Sequence, residues 1–361
     1  MLAIGLMSGT SLDGIDAALI ETDGEGQVRA LAFRGEPYSD AARAQLAAAT
    51  ALALTFDRPR ASPDLVAAGE LIDRTHAFAV HKLLREAGVA ASDVDVIGYH
   101  GQTVAHRPDR GWTWQIGDGA VLARATGIAV VSDFRSADVA AGGQGAPLLP
   151  VYHAALVAGL DLPVAVLNLG GVGNITFVGR DGALVAFDTG PANGLIDSWV
   201  EAETGARFDE GGALAAAGHI DETVLTGMLD HPFFDMAPPK SLDRNDFTIQ
   251  PARGLAAADG AATLTAFTAA SVNEAIDRLP ERPRRLIVAG GGRHNPTLLR
   301  MIAERTGLVP ESSDALGWNG DAMEAEGFAY MAVRTLRGLP ISFPGTTGVR
   351  EPRLGGMLNR V

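Results

Sequence analysis

One pattern occurs twice along this chain and limits what it can fold into. Residues 2–7, 15–21 and 28–33 are short apolar runs, separated by a Gly/Ser turn at 8–14 and by Asp23-Gly24. The same order returns at 164–169, 174–178 and 184–187, with a glycine turn at 170–173 and Asp181-Gly182. Asp-Gly between two strand-like runs is a strong hairpin signal, so each stretch reads as a three-stranded antiparallel meander. Apolar runs at 94–99, 128–132 and 286–289 follow as buried strands, alternating with helical patterns at 41–51, 64–86, 194–204, 262–278, 296–306 and 322–336. That alternation predicts an α/β protein built from two similar lobes. The helix at 64–86 is the clearest: Asp64 is placed to cap it, Leu65, Ala68, Ile72, Phe78 and Leu83 spread along one face, and Gly88 ends it.

Composition removes whole classes of function. The 361 residues suit two domains. The absence of cysteine excludes disulfide frameworks, thiolate metal sites and cysteine nucleophiles. With 43 acidic and 29 basic residues the net charge is −14, which argues against a phosphate backbone as partner. The two lysines, Lys82 and Lys240, do not follow glycine, so no GxxxxGK[ST] phosphate loop exists. No apolar run approaches membrane-spanning length, and the start lacks a basic leader region. These features read as a cytoplasmic protein that binds neither membrane nor nucleic acid.

Five constellations hold the chemistry-bearing residues. In Gly5-Leu-Met-Ser-Gly-Thr-Ser-Leu-Asp-Gly-Ile-Asp16 a buried strand feeds a loop with Gly9, Thr10, Ser11, Leu12, Asp13 and Gly14, leading to Ile15 and Asp16. Such a loop exposes N–H groups and hydroxyls that suit anionic oxygens, and a carboxylate beside them, Asp13 or Asp16, hints at Mg²⁺. A hairpin turn rich in turn-formers is the plainer reading. The equivalent turn of the second meander carries Gly170, Gly171 and Asn174; it lacks a third glycine and a following helix, so it is no dinucleotide fingerprint. Gly290, Gly291 and Gly292, with Asn295, end a buried strand where ligands of α/β sheets usually lie. Asp188 ends another strand before Gly190-Pro191, as a general base or a turn aspartate. Asp133 and Arg135 close a strand ahead of a glycine-rich loop, suited to a sugar acid or forming a surface ion pair. His100 ends a buried strand, and the histidines show no metal-ligand spacing.

The loop at 5–16, together with Tyr99-His-Gly-Gln-Thr103, Gln115-Ile-Gly-Asp118, Asp133-Phe-Arg135, Ala140-Ala-Gly-Gly-Gln-Gly-Ala-Pro147, Asp188-Thr-Gly-Pro191 and Gly290–Gly292, resembles the anhydro-N-acetylmuramic acid kinase family. So do Glu324-Ala325, Ser342-Phe-Pro344 and Thr346-Thr-Gly348, so the resemblance runs the length of the chain. Ala192, where glycine is expected, and Trp114, where an aliphatic residue is usual, depart from it.

The resemblance implies the sugar kinase/actin/heat-shock ATPase superfamily. Its fold would be two ribonuclease-H-like lobes, each a mixed five-stranded sheet with flanking helices, around a central ATP and substrate cleft. The lobes would span 1–160 and 161–361, with a return of the last residues to the first lobe left open. The implied activity is ATP-dependent hydrolysis of the 1,6-anhydro bond of anhydro-N-acetylmuramic acid with phosphorylation of O6, in cell-wall recycling. By the same resemblance Asp188 is the base, residues 9–16 with Gly170, Gly171, Asn174, Gly290–Gly292 and Asn295 hold ATP, and Asp13 and Asp16 hold Mg²⁺. His100, Asp133 and Arg135 would bind the sugar, and the protein would be a homodimer. Another small-molecule kinase of this fold, a nucleotide-gated binding protein and an ATP-independent glycosidase are the rival readings.

Overall fold

The computed structural model describes residues 1–242 and 246–361. It divides into two compact units, Met1–Ala158 with Ala322–Val361, and Gly159–Asp321.

The first unit begins with the expected meander: β1 (Leu2–Ser8), β2 (Gly14–Thr22) and β3 (Val28–Pro37). Both joins are antiparallel. Asp23 makes the second turn by accepting the amides of Glu25 and Gln27 on Oδ1. β4 (Val96–Arg107) and β6 (Val130–Ser132) then add in parallel on the other side of β1. Two further strands exceed the expected five. β4 runs past Tyr99 and turns back as β5 (Trp112–Ile116), while a segment near the C-terminus, β12 (Met357–Asn359), pairs antiparallel with β6.

The two faces of this sheet are covered differently. Ile4, Leu6, Ile15, Ala17 and Leu19 form one core with the helices Asp40–Ala53 and Pro63–Ala87. The longer helix is capped by Ser62, whose Oγ accepts the Leu65 amide; Pro63 takes the first turn, so Asp64 lies inside rather than at the cap. Phe78, expected on the buried face, is 52% exposed beneath the Lys82 ammonium. The other face receives the helix Met323–Leu336. A Cβ on Gly5 would lie 1.7 Å from the Ala325 carbonyl oxygen, and one on Gly98 2.0 Å from that of Phe328. Only glycine admits a helix backbone this close. Arg334 Nη1 donates to the Gly24 carbonyl and Tyr330 Oη to that of Glu25. The chain from Ala322 onward therefore belongs to the first unit, not to a lobe spanning 161–361.

The second unit repeats the plan. β7 (Val164–Leu169), β8 (Val172–Val178) and β9 (Leu184–Pro191) form the meander, and β10 (Arg285–Ala289) and β11 (Pro310–Ser312) add in parallel. The sheet order, β11-β10-β7-β8-β9, matches β6-β4-β1-β2-β3 of the first unit. This is the ribonuclease-H-like lobe, present twice. The helix Ala257–Asp277 is buried along most of its length and fills the core with Trp199, Phe187 and Phe234. Among the described residues no helix is long and apolar enough to cross a membrane.

Candidate active site

In the first unit the loop after β1 is held from beneath. Ser8 Oγ donates to Gln102 Oε1 at 2.5 Å and bonds the Tyr38 hydroxyl at 2.8 Å, while Gln102 Nε2 donates to the Gly9 carbonyl. The Leu12 and Ile15 side chains are buried in the core, so neither can meet a nucleotide, and the Leu12 amide donates to the Gly9 carbonyl. Thr10, Ser11 and Asp13 are exposed. Asp16 stands on β2, opposite Met7 of β1 and Gly35 of β3. Nucleotide-bound Mg²⁺ needs only one or two protein carboxylates besides phosphate oxygens. Asp13, open to solvent, and Asp16, at the same end of the hairpin, fit that demand, and among the described residues no group of three His, Asp or Glu gathers into an all-protein cage.

A cavity of about 430 Å³ in the same unit is lined by Tyr99, His100, Gln115, Asp118, Ser132 and Asp133, among others. Two of the three sugar candidates thus share one wall. Trp114 lines it as well, its ring stacked on Phe56 at 6.4 Å. Asp133 adopts a left-handed φ of 55° and accepts the Ser136 amide. Arg135 lies behind His100, with Nε and Nη2 3.2 and 3.1 Å from Nε2 of the imidazole. His100 Nδ1 donates to the Gly101 carbonyl, which leaves Nε2 to accept. Burial first, and the Arg135 charge second, push His100 well below the usual histidine range, so it is neutral. Burial likewise draws Arg135 down to about 10, opposed by Glu324 and Asp138.

Sequence reasoning assigned nothing to Asp138. It is buried, accepts the Gly145 amide on Oδ1 and the Thr347 hydroxyl on Oδ2, both at 2.6 Å, and Gly145 in turn accepts from Arg135 Nη1. Thr347 lies 209 positions away, so no local pattern announces the pair.

In the second unit Gly170 and Gly171 join β7 to β8, and their carbonyls accept the amides of Asn193 and Ala192 at the start of the helix Asn193–Thr204. Asn174 sits on β8 between Asn168 and Asp188. The methyl of Ala192 is wholly buried in the core of this unit. The glycine run after β10 lies against the end of β7: a Cβ on Gly290 would fall 2.5 Å from Asn168 Oδ1, and one on Gly292 2.5 Å from Leu169 Cβ. Asn295 Oδ1 accepts the Leu298 amide, capping the helix Pro296–Thr306. Beside these turns is a cavity of about 320 Å³, lined by Asn193, Ile196, Asp197, Phe208, Gly291 and Asn295 among others.

Asp188 lies on β9, and the chain at 240–242 runs along it. Its amide donates to the Lys240 carbonyl at 3.0 Å, and its Oδ2 accepts the Leu242 amide at 2.8 Å. Burial pushes its carboxyl up to about 6, although the Leu242 hydrogen bond and the Lys240 charge pull the other way. Lys240 is itself buried, donating to the Phe233 carbonyl above the Phe233 ring, and its ammonium is drawn down to about 8. A carboxylate of this kind is largely ionised at neutral pH and still basic enough to take a proton.

The family described as anhydro-N-acetylmuramic acid kinase matches residues 1–360 of this chain. The chain belongs to that family. An anhydro-N-acetylmuramic acid kinase of Rhizorhabdus wittichii is 69% identical over 361 residues, covering 100% of this chain and 99% of the relative. Those of Zymomonas mobilis and Methylobacterium nodulans are 53% and 51% identical, with full coverage of both partners. Among solved structures, the (R)-2-hydroxyglutaryl-CoA dehydratase component A of Acidaminococcus fermentans aligns at 12% identity, over 92% of this chain and 99% of that one, with a TM-score of 0.49. That likeness is too loose to add to the sheet order itself. The chain is a kinase, a phosphotransferase of its family's kind, and its site residues have the placements just described.

Proposed function

We propose that this kinase uses ATP and water to convert anhydro-N-acetylmuramic acid to N-acetylmuramic acid 6-phosphate and ADP, in the cytoplasm, as a step of cell-wall recycling. The observation that carries the reading is Asp188, a carboxylate that accepts the Leu242 amide and is raised to about 6 by burial. Opening an acetal ordinarily calls for two carboxyl groups, one to activate water and one to protonate the leaving oxygen. Here the leaving oxygen, O6, is also the phosphoryl acceptor, so transfer caps its developing charge and one base suffices. Asp188 takes a proton from the water whose oxygen bonds to C1, the C1–O6 bond breaks, and O6 bonds the γ-phosphorus as the bond to ADP breaks. The proton on Asp188 then returns to solvent.

The remaining residues position these partners. Backbone N–H groups of residues 9–15 other than Leu12, whose amide closes the turn onto the Gly9 carbonyl, cradle the phosphates with the Thr10 and Ser11 hydroxyls, as do Gly170, Gly171 and Asn174. Asp13 and Asp16 would hold Mg²⁺, which would neutralise phosphate charge when bound. Gly291 and Asn295 border the nucleoside in the 320 Å³ cavity, with Gly290 and Gly292 shaping the turn against the end of β7. His100 and Asp133 meet the sugar in the 430 Å³ cavity, and Arg135 fixes the imidazole as an acceptor toward its own guanidinium while holding positive charge behind it.

The test is turnover of anhydro-N-acetylmuramic acid with ATP and Mg²⁺ in ¹⁸O-labelled water. Label at C1, phosphate on O6 and loss of both in Asp188→Asn are expected. Ring opening without ATP would instead assign a glycosidase, and ATP binding without any turnover a nucleotide-gated binding protein. Phosphorylation of other hexoses in preference would assign a different sugar kinase.

A further inference from the structure

The 320 Å³ cavity contains a carboxylate that the mechanism does not use. Asp197 lies on the helix Asn193–Thr204 and is half-buried. Among the described residues it accepts no hydrogen bond and joins no ion pair; its one electrostatic neighbour is another acid, Asp209. Asp209 is already engaged, since its two oxygens accept the amides of Leu214 and Ala215 at 2.8 and 2.9 Å. Among the described residues neither lysine nor arginine lines the cavity, and its one basic side chain is the imidazole of His294. A carboxylate withdrawn from water and faced by like charge is costly to keep unless a ligand brings hydrogen-bond donors. A divalent cation is a poor answer, because the second carboxylate is spent on backbone amides and, among the described residues, no third acid or histidine, His294 included, gathers with the pair into a metal-holding group.

The place of Asp197 along its helix says which donors it meets. The helix begins on the glycine turn at 170–171, where the Asn193 and Gly194 amides donate to the Gly170 and Gly171 carbonyls. At 1.5 Å of rise per residue, Asp197 stands about 6 Å further along the axis from Asn193. In a nucleoside triphosphate the ribose comes next after the phosphates, and its vicinal hydroxyls are the neutral donors at that distance. The base lies beyond the ribose, and Phe208, 58% exposed in the same cavity, offers it an apolar face. We propose that Asp197 accepts hydrogen bonds from the ribose 2′- and 3′-hydroxyls and makes this kinase selective for ribonucleotides. The proposal rests on the reading above that the cavity beside Gly290–Gly292 takes the nucleoside.

The experiment compares ATP, 2′-deoxyATP, 3′-deoxyATP and GTP as phosphoryl donors at saturating sugar, in wild type, Asp197→Ala and Asp197→Asn. In wild type the deoxy analogues are expected to show KM values about 10- to 100-fold above that of ATP, the loss that follows when a charged acceptor loses its donor. In Asp197→Ala the KM for ATP rises into that range and the ribo-to-deoxy ratio falls to about one, with kcat, the sugar KM and the ATP-to-GTP ratio within about 2-fold of wild type. Asp197→Asn keeps the shape, and its neutral oxygen gives a smaller change in the same direction, so it carries the test should the alanine variant fold poorly.

A ribose preference that survives in both variants, or a wild type indifferent to the deoxy analogues, overturns the proposal. So does collapse of the ATP-to-GTP ratio in its place, which would mean the carboxylate reads the base. These results leave wild-type turnover intact, whereas failure of the functional reading abolishes it. In that case calorimetric affinities for ATP and 2′-deoxyATP, compared between wild type and Asp197→Ala, decide on Asp197 alone.

Discussion

The two units use one sheet plan, yet place their charges differently on it. In the first, five residues, Gly9 to Asp13, separate β1 from β2, and the acid stands on the middle strand: Asp16, opposite Gly35. In the second, Gly170 and Gly171 alone separate β7 from β8. There the middle strand carries a neutral amide, Asn174, and the acid has moved to its partner on the third strand, Asp188. The shift of one strand brings Asp188 against the chain at 240–242, which buries it and supplies one amide. Nothing in the plan of the sheet forces that change. A repeated scaffold sets where side chains can stand, and the loop laid over it decides which of them is desolvated enough to act as a base.

The sharpest way to break this comparison is to remove the second unit's acid. Asp188→Asn is expected to lower kcat by about 10² to 10⁴, the usual worth of a positioned base, in a protein whose circular dichroism is unchanged and whose melting temperature is not lowered, since neutralising a buried carboxyl raised to about 6 removes a cost at neutral pH. Adding an acid at the neighbouring position, as Asn174→Asp in that background, should not restore the rate, because the new carboxylate lacks the Leu242 amide. Recovery of product formation would show that any acid in this meander serves.

The glycines give the next contrast. Gly5→Ala drives a methyl into the Ala325 carbonyl, whereas Gly171 has nothing within 4 Å of its would-be Cβ. Chemical denaturation should show Gly5→Ala losing about 3 kcal/mol or more, and Gly171→Ala staying within about 0.5 kcal/mol of wild type. The KM for ATP should nevertheless rise in Gly171→Ala, since a methyl there obstructs approach of the phosphates. An unchanged KM would remove this turn from the phosphate site.

The raised carboxyl of Asp188 sets a pH limb. The base works ionised, so kcat/KM for the sugar, measured at saturating ATP, should be flat above about 6 and fall by about tenfold per pH unit below it. The residual rate of Asp188→Asn should lack that limb. A limb that persists in the variant belongs to another group.

The smallest effect is on stability, at Asp197, whose carboxyl is raised to about 6 by burial and by Asp209. Because the native state holds this proton more tightly than the unfolded chain, Asp197 costs stability above about 6, and the cost fades as pH falls toward the unfolded value near 4. After allowance for its partial exposure, Asp197→Asn should be more stable than wild type by about 1–2 kcal/mol at pH 8, with the gain vanishing near pH 4. Melting curves at the two pH values check it. Equal stability at pH 8 would mean that Asp197 carries no such burden.

Much of this molecule is written locally. Alternating apolar runs and Asp-Gly turns mark both meanders, and Gly88 stops the long helix where a left-handed residue is needed. The glycine run at 290–292 stands out after a buried strand, and the ordered motifs from Gly5 to Gly348 mark the family. Such features are legible because turn chemistry and periodicity act over a few residues. Leu12 and Ile15 show the limit, since a loop sequence does not say which of its side chains turn into the core.

What the sequence by itself determined, then, is the two meanders, the strand and helix order, the glycine turns and the family. Only the tertiary structure decided that the chain from Ala322 returns to the first unit, on faces that Gly5 and Gly98 leave bare. It alone joined Thr347 to Asp138, laid Leu242 on Asp188, and left Asp197 facing Asp209 without a donor among the described residues. The reason is physical: a carboxylate's basicity depends on how much water and which charges surround it, and those neighbours arrive from remote parts of the chain.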